Sequence, residues 1–193
     1  MGARVQAPTL APARGRMLRR AFGVALGAAV VALSAQVVVP LPFSPVPMTL
    51  QPLAVLGVGG VLGAAGGASA LVLYLALGLL GLPVFAGGGA GLIHVLGPTG
   101  GYLLAFPAAA AVAGAVAAAA ADSRVPLLHA LAGCTVGLAL IHAGGLAQLA
   151  ALGLDPAVAF RVGFVPFFTG DLLKVGLAAG LIAILGPRLR GLR

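Results

Sequence analysis

Two oppositely charged side chains, Asp171 and Lys174, stand in the stretch Val165-Pro-Phe-Phe-Thr-Gly-Asp-Leu-Leu-Lys-Val-Gly176, at the entrance of an apolar run that continues to Leu185. Lys174 is the only lysine of the chain and Asp171 is one of three acidic residues. Three apart on a helix, they share a face. A carboxylate accepts from N–H groups and an ammonium donates to a carbonyl or carboxylate, so the pair can hold a polar ligand. An ionisable group inside a membrane span is costly, which makes function the default reading. The competing reading is a self-neutralising pair that only anchors a helix end. The elements that position the pair have to decide.

Those elements are membrane helices. Of 193 residues, 61% are hydrophobic and 7% charged, with a mean hydropathy of +1.17. A soluble domain carries roughly 25% charged residues, so the chain is read as a polytopic membrane protein. The single cysteine, Cys134, excludes an internal disulfide framework, and no Cys/His cluster has zinc spacing. Arg4, Arg14, Arg16, Arg19 and Arg20 precede the first apolar run, and Arg188, Arg190 and Arg193 follow the last; together they account for the net charge of +8. Asp122, Arg124, Asp155, Arg161, Asp171 and Lys174 cancel. Basic clusters flanking hydrophobic spans read as positive-inside signals, not as a nucleic-acid surface. Both termini are therefore expected in the cytoplasm, with an even number of spans.

In chain order, residues 1–16 are expected to form a disordered cytoplasmic leader. Residues 17–187 form a six-helix membrane domain, and 188–193 a basic cytoplasmic tail. The first span is Met17 to Val39; a cleavable signal peptide is the alternative, disfavoured because the apolar core is long and the chain stays hydrophobic afterwards. Ala21, Ala25 and Ala29 make a small-residue stripe that would let another helix approach, although an alanine-rich chain can produce such spacing by chance. Pro40 to Pro47 holds four prolines in eight residues and cannot be helical. A short second run ends near Leu62, so its start, with Gln51, lies below the membrane surface. A turn at 63–67 leads to a third span, Ala68 to Leu82, with Tyr74 in its middle. Pro83 to Gly101 is glycine-rich yet apolar, as irregular backbone near a membrane is only when packed in protein or lining a cavity. Tyr102 to Ala121, Leu127 to Leu152 and Thr169 to Leu185 complete the six, separated by a turn at 122–126 and a loop at 153–168.

With both ends inside, the loops at 40–48, 83–101 and 153–168 share the outer face with Gln51 and the Asp171–Lys174 end of the last span. A pocket open to the outside fits that convergence better than an anchor. No His-Glu zinc motif or Gly-x-Ser-x-Gly supports an intramembrane enzyme. No repeated polar ring supports a channel, and no inverted repeat an autonomous carrier. No Walker motif occurs, so any ATP must be hydrolysed on other chains.

Four segments, in order, resemble the BioY family, the biotin-binding S components of energy-coupling-factor (ECF) vitamin transporters: Val46-Pro-Met-Thr-Leu-Gln51, Gly78-Leu-Leu-Gly-Leu-Pro-Val-Phe85, Gly97-Pro-Thr-Gly-Gly-Tyr102 and Pro166-Phe-Phe-Thr-Gly-Asp-Leu-Leu-Lys174. The resemblance implies an all-α integral membrane protein of six transmembrane helices with both termini cytoplasmic. It also implies a biotin-binding subunit of an ATP-driven uptake transporter in the bacterial plasma membrane, with no cofactor or metal. The alternative is a self-sufficient carrier or channel using Asp171 as an ion-coupling site. Asp171 and Lys174 match the family's biotin-holding pair. Ala21, Ala25 and Ala29 match its contact with the transmembrane coupling subunit, which works with ATPase subunits. The further substrate-binding candidates are Thr49, Gln51, Tyr74, Phe85, Tyr102 and His94, the last also readable as a plain loop histidine. Phe85, Tyr74 and Tyr102 are expected to enclose the rings of biotin. His129 and His142 are expected to be helix residues facing their neighbours.

Overall fold

The computed structural model describes residues 11–119 and 125–189. Arg4, Asp122, Arg124, Arg190 and Arg193 lie outside them, as does most of the expected leader and most of the turn at 122–126.

The first helix, α1 (Ala11–Ser34), begins inside the stretch expected to be leader and stops five residues before the expected end at Val39. The reason for the early stop is local. Val39 precedes Pro40, and a residue before proline is pushed into extended backbone. Val38–Val39 accordingly forms a two-residue strand, β1, antiparallel to β2 (Met48–Thr49), and the pair closes the proline-rich loop at its base.

Helix α2 (Gln51–Leu79) contains a full reversal at Gly63, whose φ of 78° and ψ of 173° are not helical. Glycine reaches this backbone region without steric cost. The side chains of Gln51 and Tyr74 meet at 2.7 Å, whereas 23 residues of straight helix would separate them by about 35 Å. α2 is thus two legs, 51–62 and 64–79, and the turn expected over 63–67 is confined to Gly63.

The 83–101 segment, expected to be irregular throughout, contains a 3-10 turn (Ala86–Gly88) and a short helix, α3 (Leu92–Leu96). Helices α4 (Gly100–Ala119) and α5 (Pro126–Ala151) follow. They cross so closely that the Gly101 carbonyl oxygen lies 2.5 Å from where a Cβ of Gly144 would sit, the close approach that small residues permit in lipid. The 153–168 loop also carries a helix, α6 (Pro156–Gly163), capped by Asp155, whose Oδ1 accepts from the Ala157 N–H at 2.9 Å. Asp at the cap and proline at the first helical position are a start signal. A 3-10 turn (Val165–Phe167) then leads into α7 (Phe168–Leu185).

Five helical stretches are long and apolar enough to cross a membrane. With α2 folded back at Gly63, they make a bundle of six legs. α7 exemplifies the sorting: Asp171, Lys174, Val175, Ala178 and Ile182 face inward, while Leu172, Leu173, Leu177 and Ile184 are exposed. Only a hydrocarbon surround makes that arrangement favourable. Cys134 on α5 is fully buried among Leu56, Val175 and Ala178.

Candidate functional site

The first turn of α7 carries Asp171, where a negative charge is favoured by the exposed N–H groups of the helix start. One turn on, Lys174 Nζ donates to Asp171 Oδ1 at 2.8 Å. The second carboxylate oxygen is also taken: His142 Nε2 lies 2.8 Å from Asp171 Oδ2. Asp171 is 3%, Lys174 6% and His142 6% exposed, so the three form one buried cluster. An ionised carboxylate only accepts, so Nε2 carries the proton of this bond. His142 Nδ1 is buried without a partner. Its ring is held by Phe164 (centroids 4.8 Å apart, 71° between planes), Tyr102 (6.1 Å, 82°) and Phe167 (6.3 Å, 51°).

His142 corrects the expectation that it merely faces neighbouring helices. It lines the cavity, on the same helix face as Gly145 and Leu149, three and seven residues on. That inward stripe is the one trace of its position in the sequence, and hydrophobicity does not single it out. His129 lies near the other end of α5, with Nδ1 3.1 Å from the Val125 carbonyl oxygen. His142 also sets the depth. It precedes the end of α5 at Ala151 by nine residues, about 14 Å of helix. The pair at the start of α7 is therefore recessed beneath α6 and the 3-10 turn.

A second polar group comes from the recessed start of α2. Gln51 Nε2 donates to Tyr74 Oη at 2.7 Å, and the Thr49 hydroxyl donates to Gln51 Oε1 at 3.2 Å. Tyr74 packs edge-on against Phe85 (5.6 Å, 75°), and Phe85 lies against Gly78, where a Cβ would overlap its ring. His94 on α3 donates from Nδ1 to the Ala90 carbonyl at 2.8 Å, and its own carbonyl accepts from the Thr99 hydroxyl at 3.1 Å. Tyr102 donates to the Gly163 carbonyl at 2.7 Å, tying α4 to the end of α6.

These groups surround a cavity of about 420 Å³. Thr49, Gln51, Phe85, His94, Tyr102, Asp171 and Lys174 all line it, joined by His142, Thr99, Phe106 and Phe167. Tyr74 does not: it stands behind the wall and holds Gln51 in place, which corrects its expected role of enclosing a ligand. The mouth is framed by the proline-rich loop, braced by Ser44 Oγ donating to the Val162 carbonyl at 2.7 Å, and by the 83–101 segment, where Gly87 N–H donates to the Ala35 carbonyl at 3.3 Å. Ala21, Ala25 and Ala29 are exposed on α1, away from the cavity. An apolar cavity of this size with a few convergent polar groups suits a small, partly polar molecule. At its base Lys174 uses one of three N–H donors on Asp171, and the carboxylate retains lone pairs beyond the two bonds described.

The profile of the BioY family matches residues 6–191. A probable biotin transporter BioY of Pyrococcus horikoshii is 39% identical over 169 residues, covering 87% of this chain and 94% of its own. The biotin transporter BioY of Thermotoga maritima is 41% identical over 144 residues, covering 75% and 82%. Among solved structures, the S-component for biotin from an ECF-type ABC transporter superposes with a TM-score of 0.81 at 25% identity, covering 89% of this chain and 92% of that one. Profile, relatives and shape agree along nearly the whole length: the chain is a member of the BioY family.

Proposed function

We propose that this chain is the biotin-binding membrane subunit of an ATP-driven ECF-type uptake transporter, and that biotin occupies the cavity above Asp171. The observation that carries the reading is the buried Lys174–Asp171–His142 cluster at the base of an otherwise apolar cavity of about 420 Å³. Biotin offers a flat ureido ring with two N–H donors and a carbonyl, a thioether ring and a carboxylated chain. Asp171 accepts from N–H, Lys174 donates to oxygen, and Phe85, Tyr102 and Phe106 enclose apolar surface. The names carried by the relatives, biotin transporter in each case, support the same ligand. An autonomous carrier with Asp171 as ion-coupling site is less well supported, because both carboxylate oxygens already face cationic or N–H partners.

The energising chemistry belongs to other chains in this reading. The only lysine lies in the cluster, so no phosphate-binding loop with its lysine exists here. The exposed Ala21–Ala25–Ala29 stripe docks the transmembrane coupling subunit, which carries the ATPase subunits.

Calorimetry on the purified chain tests the ligand. Biotin should bind with a one-to-one stoichiometry and other vitamins should not. Biotin amidated at its carboxylate resolves the role of Lys174. If the ammonium holds the carboxylate, amidation weakens binding to wild type but not to Lys174→Ala. Equal loss in both proteins would assign Lys174 to another part of the ligand, and no biotin binding at all would end the proposal.

A further inference from the structure

Beside its packing on α2, and on the side away from the alanine stripe, one flank of α1 leaves an open groove. There Gly23, Gly27, Val30 and Ser34 form one wall of a surface groove of about 370 Å³, closed by the first leg of α2 and by Leu185 and Leu189 at the end of α7. Its only polar side chain, Ser34, spends its hydroxyl on the Val31 carbonyl at 2.7 Å. From Gly23 to Ser34 the groove runs along eleven residues of helix, about 17 Å. That is the depth of one leaflet, half of a hydrocarbon core of about 30 Å.

The charge at one mouth of this groove is built into the same helix faces. Arg16 and Arg19 precede Gly23 by seven and four residues and so continue its stripe on α1. On the other wall Arg188 follows Leu181 and Leu185 by seven and three, and the helical turn persists there, with the Leu189 N–H donating to the Leu185 carbonyl at 3.0 Å. All three arginines are exposed. Of the carboxylates in the described residues, Asp155 and Asp171 stand at the opposite end of the bundle, at the starts of α6 and α7.

We propose that the groove holds an acyl chain of an anionic phospholipid, its phosphate bound at the mouth by Arg16, Arg19 and Arg188. The apolar length matches one acyl chain in one leaflet, and the arginines select a negative headgroup there. The site depends on neither the cavity nor its ligand. At 3.6 residues per turn the Ala21–Ala25–Ala29 stripe lies roughly 180° around α1 from the groove, so lipid and a coupling subunit on that stripe can be bound together.

Native mass spectrometry of the full chain in detergent tests this, using phosphatidylglycerol and phosphatidylcholine with identical acyl chains. Wild type should retain phosphatidylglycerol in clear preference. Arg19→Gln and Arg188→Gln should each lower that adduct about fivefold, with phosphatidylcholine unchanged. Gly57→Leu fills the groove where an added Cβ meets nothing within 4 Å, and should lower both lipids while thermal stability is kept. Equal retention of the two lipids, unaffected by the arginine changes, would overturn the proposal. So would a Gly57→Leu chain that keeps its lipid but loses a coupling subunit, since the groove would then be a protein-docking surface.

Discussion

Replacing Asp171 with asparagine removes one charge and almost no volume, and the structure dictates why the change cannot be absorbed. Oδ1 faces a buried ammonium at 2.8 Å and Oδ2 faces His142 Nε2 at 2.8 Å. An asparagine amide has one accepting and one donating end. With its oxygen toward Lys174, its NH2 faces Nε2, which must become an acceptor and shift the imidazole proton to Nδ1. That nitrogen is buried with no partner. With the amide flipped, NH2 meets ammonium, donor against donor. Either way a charge-assisted bond is lost and Lys174, 6% exposed, keeps an unpaired charge. The expected loss in biotin binding is about 2–4 kcal/mol, on the order of 30- to 1,000-fold in affinity. Calorimetry gives the affinity and a thermal melt reports on folding. The double variant Asp171→Asn, Lys174→Met separates the two losses: it should melt above Asp171→Asn alone, because no buried charge is stranded, yet still fail to bind. A folded Asp171→Asn that binds within threefold of wild type would refute the reasoning and leave the pair a helix anchor.

His142→Phe keeps the ring packing against Phe164, Phe167 and Tyr102 but deletes the bond to Asp171; it should weaken biotin binding by about 1.5–3 kcal/mol, on the order of 10- to 150-fold, in the same calorimetric assay. Unchanged affinity would show that the carboxylate needs no second support. Ala25→Leu, on the exposed stripe of α1, should release the coupling subunit on co-purification while biotin affinity stays at the wild-type value, because only small side chains allow close helix approach. Retention of the whole complex would move the docking surface elsewhere. Protease added to right-side-out vesicles should leave both chain ends uncut, as arginine-flanked cytoplasmic termini require; trimming at either end would reverse the orientation.

Much of the fold was legible because membrane helices announce themselves through hydropathy. The four motifs placed Gln51, Phe85, Tyr102, Asp171 and Lys174 around one site before any coordinates. Two kinds of information were not in the pattern. Tyr74 and His142 are single polar residues in apolar helices, and whether such a residue faces a cavity or backs its wall depends on helix rotation of a few tens of degrees. Small residues fill both faces of α5, so the stripe through His142, Gly145 and Leu149 does not stand out by hydrophobicity. The boundaries failed for a different reason. An apolar turn such as Leu92–Leu96 is too short to show a period in a chain that is apolar almost everywhere, and Pro156–Gly163, though amphipathic, is only eight residues long. There only the Asp155-Pro156 cap offered a readable signal.

The reversal at Gly63 bears on how the protein is made. The legs it joins hold 12 and 16 residues, counted over 51–62 and 64–79, or about 18 and 24 Å of helix. Neither spans a hydrocarbon core of about 30 Å. A nascent leg that short has no stable transmembrane state of its own, so the two enter the bilayer together as a wedge with Gly63 at its tip. The short legs also draw the lipid surface toward them, because a span below the local thickness thins the bilayer around it. A bundle of six legs thus calls for five insertion events, and the length mismatch is largest at the leg that carries Gln51 to the cavity.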